Sequence, residues 1–317
     1  SEKELYSAAR DVEWKRYIGR KSTFAVDSVV NSRHFNHSKY VALKVKDAIA
    51  DQLRDKFGSR PDVDRKDPDV QVHVHIDRER LTISLDSSGI PLHRRGYRLE
   101  SGGAPLGESL AAGMLLLAGY DGSVPFVDPM AGSGTLLVEA ALIAARHAPG
   151  LLREKFGYAG WKDFDRRLHQ KVIADARKMV RVPPASIAGC DISADAVRTA
   201  RANLRRSGME EAVSVRKSTF EEFTPPEGPG VMITNPPYGE RMGSEDIADL
   251  YGRIGDMLKK SYQGYEAWLI SSNREALKSV GLRPSKKITL FNGPLECRYH
   301  NYSIYSGSRK SKYRDGE

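Results

Sequence analysis

Cysteine is nearly missing from this chain: Cys190 and Cys297 are the only two in 317 residues. So sparse a set excludes a disulfide framework and a cysteine-built metal knuckle, and it suits a reducing compartment. No metal is expected. Tryptophan is scarce too, at 3, and no apolar run approaches the roughly 18 residues of a membrane-spanning helix. The opening stretch SEKELYSAARD does not read as a secretory signal, so the expected location is the cytoplasm. Charge of one sign does not dominate either. The 50 Lys and Arg exceed the 41 Asp and Glu by nine, and the surplus is spread along the chain. Such a balance permits a polyanionic partner without demanding one.

What is present falls into two textures. Over the first hundred residues, TFAVDSVV (23–30) alternates like a half-buried strand, and residues 37–57 carry apolar positions at helical spacing, with Ser38 as the expected cap. VQVHVHI and LTISLD flank a short polar turn and predict a hairpin, with His73 and His75 on its solvent face. PLHRRGYR (91–98) reads as a further, cation-rich strand. This half is a small α+β unit over residues 1–98. Residues 99–120 form a connection and a leading helix, expected to close at Gly122. From there to residue 307, apolar strands alternate with helices, which predicts an open, mostly parallel α/β sheet with a terminal antiparallel pair. Residues 308–317 read as a disordered basic tail.

An α/β sheet binds ligands beyond the carboxyl ends of its strands, where strand order reverses. The first strand of the second half runs into Asp128, Pro129, Met130, Ala131, Gly132, Ser133, Gly134 and Thr135. Two glycines there allow a tight turn and close approach of a ligand to the N-terminal N–H groups of the next helix. A dinucleotide loop needs a small third residue and an acid after the second strand. Position 137 is Leu, and Glu154, the acid at the right separation, follows no strand. Nicotinamide cofactors are therefore disfavoured. The second strand ends instead in Asp191, which can accept hydrogen bonds from a ribose diol or start the next helix. A glycine turn paired with a second-strand acid is the pattern of S-adenosylmethionine enzymes.

The stretch ITNPPYGER (233–241) is the sharpest signal. Two prolines without N–H groups cannot continue a central strand, so they form a rigid elbow just beyond it. The Asn235 side chain and the Pro236 carbonyl can each accept one N–H of a nucleobase amine, Pro237 stiffens the elbow, and Tyr238 can stack on the ring. Fixing the amine in this way exposes its lone pair to a methyl donor.

These residues resemble the amino-methyltransferases that act on exocyclic amines of adenine or guanine. KVKDAIADQL, LHRRGYR, GTLLVEAALIA, APGL, NPPYGER and NGPLECRYHNY extend the likeness to one branch, the bacterial large-subunit ribosomal RNA guanine-N2 methyltransferases with an N-terminal THUMP domain. The resemblance covers nearly the whole chain. It implies a Rossmann-like class I methyltransferase domain behind a THUMP-like one, S-adenosylmethionine as methyl donor, and an RNA substrate. Asp128 to Thr135 would then line the methionine end of the cofactor, Asp191 the ribose and Ile192 the adenine. The family often carries an acid after the third strand; here Ser218, Thr219 and Phe220 occupy that place. The family's first THUMP segment has no counterpart before Tyr6. A tRNA guanine-N2 enzyme, a DNA adenine methyltransferase and a non-catalytic RNA-binding assembly factor are the alternatives. Arg33, Lys39, Arg94, Arg95 and Arg98 are the expected phosphate contacts.

Overall fold

The computed structural model describes residues 1–98, 106–237 and 244–305, and its contacts divide the chain into two compact units. The first comprises Ser1–Leu92 and Arg153–Ala174. In it β1 (Phe24–Asn31) and β2 (Val70–Asp77) run parallel, and β3 (Arg80–Leu85) returns antiparallel on β2. The turn of that hairpin is possible because Arg78 adopts φ 55°, a left-handed conformation that non-glycine residues adopt uncommonly. Val70, Val72, Val74 and Ile76 all point inward from β2, while His73 and His75 point outward. The inner face packs on α1 (Glu2–Asp11) and α2 (Ser38–Phe57) through Leu5, Val41, Val45 and Ile49, with Trp14 of the turn after α1 in the same core. Ser38 is the first residue of its helix, and His37, without a side-chain bond, occupies the cap position.

Residues 153–174, though they lie within the second texture, belong to this first unit. A Cβ at Gly157 would lie 2.4 Å from the Asp86 carbonyl, and one at Gly160 2.2 Å from that of Asp69. Only glycine permits those approaches. Helix α5 (Arg166–Lys178) follows.

The second unit contains His93–Leu152 and the described residues from Asp175 onward. Its sheet has seven strands: β4 (Phe126–Asp128), β5 (Ile187–Asp191), β6 (Val213–Lys217), β7 (Gly230–Thr234), β8 (Tyr265–Ser271), β9 (Lys286–Asn292) and β10 (Leu295–Ser303), in spatial order β6-β5-β4-β7-β8-β10-β9. The first five in that order are parallel, and β10 lies antiparallel to both β8 and β9. Strand order reverses at β4, between β5 and β7. Apolar α3 (Glu108–Leu117) and α4 (Thr135–Ala144) enter one core, and α7 (Ser244–Ser261) and α8 (Arg274–Ser279) the other. Amphipathic α6 (Ala194–Arg206) packs through Ala200 and Leu204 on the first of these. Gly119, at φ 76°, ends α3 three residues earlier than expected, while Gly122 lies against the backbone of Ala144. PLHRRGYR forms no strand, and from His93 onward it packs in this second unit. No described helix is long and apolar enough to cross a membrane.

Candidate active site

The carboxyl ends of β4, β5 and β7 bring together the glycine turn, Asp191 and Asn235. Gly132 and Gly134 both have positive φ, at 53° and 79°, but they serve different ends. A Cβ at Gly134 would come within 2.9 Å of the Ala200 side chain on α6, so glycine there lets loop and helix pack. At Gly132 a Cβ would meet nothing within 4 Å. That residue borders open space, where a ligand can approach the backbone.

Asp191 holds this loop in shape. Its Oδ2 accepts the Gly132 N–H at 2.9 Å, and its Oδ1 accepts that of Ser193, also at 2.9 Å. The cap of α6 is Ser193, which accepts from Ala196. A carboxylate has about four acceptor directions, so both oxygens retain capacity for a diol. Ile192 beside it is 69% exposed, unusual for an isoleucine at a strand end. Asn203, fully buried on α6, donates to the Ser133 carbonyl at 2.9 Å and ties the loop from behind. After β6, Ser218 and Thr219 are half-buried, and the Thr219 hydroxyl accepts the Glu222 N–H. Phe220 is packed into the core, with the Arg253 guanidinium over its ring.

Asp128 is 2% exposed. Its Oδ1 accepts from the Met130 N–H at 3.1 Å and from the Thr234 hydroxyl at 2.9 Å. Burial disfavours the charged form and pushes its pKa up to about 7, although these two donors pull the other way. Thr234 directly precedes the elbow. There the Asn235 Oδ1 is buried and takes no hydrogen bond from the described residues, Pro236 is buried and Pro237 exposed. A buried acceptor without a donor loses about 1–3 kcal/mol of solvation, which a ligand N–H at that point would restore. Tyr238 lies outside the described residues.

Arg95 and Arg98 do not form the expected phosphate surface. Arg95 pairs with Glu139 of α4 at 3.3 Å, and Tyr97 donates to the same carboxylate at 3.1 Å. Arg98 donates to the Leu106 carbonyl and to the Thr135 hydroxyl, with Glu108 4.0 Å away. The reason is electrostatic: two glutamates buried in apolar helices need cations beside them. Arg33, Lys39 and Arg94 are exposed. Lys39, with Lys46 and Arg65, lines a cavity of about 310 Å³ in the first unit. Thr234, Asn203 and Glu139 escaped the sequence reading. A lone Glu in GTLLVEAALIAARH and an Asn on the core-facing stripe of α6 were signals for two of them; Thr234 gave none. Cys190 is buried, which raises its thiol pKa to about 12. Among the described residues, no group of three or more His, Cys, Asp or Glu could hold a metal ion.

A parallel sheet reversing at a glycine turn, with a strand-end acid and an Asn-Pro-Pro elbow, defines a class I methyltransferase fold. Comparison with known proteins agrees. The chain belongs to the RMKL-like methyltransferase-domain family, which matches residues 95–301, and a THUMP domain matches residues 1–86. The ribosomal RNA large subunit methyltransferase K/L of Shewanella amazonensis is 38% identical over 316 residues, which cover 98% of this chain and 45% of that protein. The chain thus spans under half the length of the curated relatives it matches. Among solved structures, a possible methylase from Clostridium difficile 630 is 30% identical with a TM-score of 0.87, covering 98% of this chain and 82% of that one. SMU.472, a supposed methyltransferase complexed with SAH, is 26% identical with a TM-score of 0.87, covering 97% and 82%.

Proposed function

We propose that this chain is an S-adenosylmethionine-dependent methyltransferase acting on the exocyclic amine of a guanine in large-subunit ribosomal RNA, in the cytoplasm. The buried Oδ1 of Asn235, unpartnered among the described residues, carries the reading. It stands at the strand-order reversal, beside a glycine turn open to a ligand. The names of the curated relatives support RNA as the substrate. The open space at Gly132, the spare acceptor directions of Asp191 and the exposed Ile192 fit S-adenosylmethionine. In this assignment Asp128 to Thr135 hold its methionine end, Asp191 its ribose and Ile192 its adenine. The Ser218 or Thr219 hydroxyl takes the adenine amine, with Phe220 packed behind. The cofactor, when bound, supplies a methyl group on a cationic sulfur.

The protein's own task is to prepare the amine. Its lone pair is delocalised into the guanine ring, so it is a weak nucleophile. Acceptance of its two N–H bonds by the Asn235 Oδ1 and the Pro236 carbonyl favours a pyramidal nitrogen with the lone pair localised. Tyr238 stacks on the base. The methylated amine is acidic enough to lose its proton without a dedicated base. A paired guanine hides this amine, so the target must be unpaired or extruded. Arg33, Lys39 and Arg94 supply phosphate contacts.

Asn235→Ala tests the assignment. Single-turnover methyl transfer to ribosomal RNA from a strain lacking the gene should fall about a hundredfold or more, with calorimetric affinity for S-adenosylmethionine changed far less. A wild-type rate would reduce the elbow to a turn and overturn the mechanism.

A further inference from the structure

The β9–β10 hairpin carries the observation that the proposed site does not absorb. Arg298 of β10 pairs with Ser271, the last residue of β8, whereas Leu295, Glu296 and Cys297 pair with β9 alone. The hairpin therefore projects three residues past the end of β8, about 10 Å at the usual rise of a strand. It projects on the carboxyl side of the parallel sheet, the side on which Asn235 lies. From β7 its β10 strand is two strand spacings away across β8, and β9 is three, or about 14 Å. A few nucleotides of a single strand bridge that distance.

The two faces of the hairpin differ. Ile288, Leu290, Cys297 and Tyr299 face the core. The opposite face presents Phe291, paired across the hairpin with Glu296, and Arg298, paired with Thr289. Phe291 is 62% exposed and Leu295 at the tip 44%. Arg274 and Arg298 both reach Glu296, at 2.6 and 3.0 Å. One acid between two arginines, with Lys287 exposed on the same face, leaves this lip cationic. An exposed aromatic ring among arginines, overhanging a catalytic edge, is a stacking platform for a base. Arg95 and Arg98, drawn inward by Glu139 and Glu108, leave the strand entering the site to be gripped elsewhere.

We propose that Phe291 stacks on an unpaired nucleobase of the substrate RNA a few nucleotides from the target, with Arg274 and Arg298 beside the adjoining phosphates. This rests on the RNA-methyltransferase reading and deepens it. The ring supplies affinity without sequence choice, because every base has a π-face.

The test is Phe291→Ala and Phe291→Trp in the full chain, with a fluorescein-labelled single-stranded RNA. The alanine variant should bind about 5- to 150-fold more weakly. Its salt dependence should equal that of wild type, because no phosphate contact is lost. The tryptophan variant should bind like wild type and show indole quenching on RNA addition beyond that of wild type. Affinity for S-adenosylhomocysteine should be the same in all three proteins. Unchanged RNA affinity in Phe291→Ala overturns the platform and leaves the enzyme reading standing. So does a loss of self-association by sedimentation without loss of RNA binding. A wild-type protein that binds cofactor but neither binds nor methylates RNA overturns both.

Discussion

The Thr234 hydroxyl donates to the Oδ1 of Asp128 across the boundary between β7 and β4, both side chains buried, at 2.9 Å. Thr234 precedes Asn235, and Asp128 opens the glycine turn, so one hydrogen bond couples the Asn-Pro-Pro elbow to the glycine turn. Thr234→Val keeps the side-chain shape and removes the donor. The expected result is a stability loss of about 1–3 kcal/mol by denaturant unfolding. Single-turnover methyl transfer should fall about ten- to a hundredfold, because small misplacements of reacting groups are costly. Thr234→Ser should restore both. A Val variant with the native rate would show that the bond only stabilises the fold.

Asp128 makes stability depend on pH in an unusual direction. Unfolded, it ionises near 3.8; folded, burial holds its proton to about 7. The folded state binds the additional proton between those values, so Asp128's contribution to stability is complete below about pH 4 and is lost as pH rises to about 7. Asp128→Asn keeps an acceptor for Thr234 and Met130 but cannot ionise. The variant should therefore gain on wild type as pH rises from about 4 to about 7, and hold that gain above, in denaturant midpoint. Parallel curves would refute the assignment.

Asp191 bonds the glycine loop through Gly132 and is assigned to the ribose as well. Asp191→Ala should weaken S-adenosylmethionine binding by about 10- to 150-fold, the equivalent of about 1.5–3 kcal/mol. Calorimetry with adenosine and with adenine separates the two contributions. Loss confined to adenosine marks the ribose contact, and equal loss for both marks a displaced loop.

Arg95 should act on stability rather than on RNA. Its partner Glu139 is almost fully buried, and burial raises that carboxyl's pKa while Arg95 lowers it. Arg95→Met leaves the carboxylate without its cation, a change expected to cost about 3–5 kcal/mol. Replacing Glu139 by Gln in the same chain should recover part of it. The salt slope of RNA binding should not move. A flatter slope in the single variant would restore Arg95 to the phosphate surface.

The sequence determined the elements and the chemistry that rides on them. Strand and helix periods are local, and glycine and proline leave few backbone choices, so the turn after β4 and the Asn-Pro-Pro elbow were legible from residues 128–135 and 235–237. What the periods could not reveal was which polar groups would meet. HRRGYR has the composition of a solvent-facing cationic strand. Its Arg95, Tyr97 and Arg98 became an interior clasp because Glu139 and Glu108 lie on apolar helices, and burying those charges demands partners. Thr234 has no mark in sequence, since its role depends on β7 pairing beside β4. The same holds for residues 153–174, whose Gly157 and Gly160 meet the carbonyls of Asp86 and Asp69, which flank strands distant in sequence. Local rules choose the backbone; the pairing of buried charges and hydrogen-bond donors is a long-range property that only the folded chain decides.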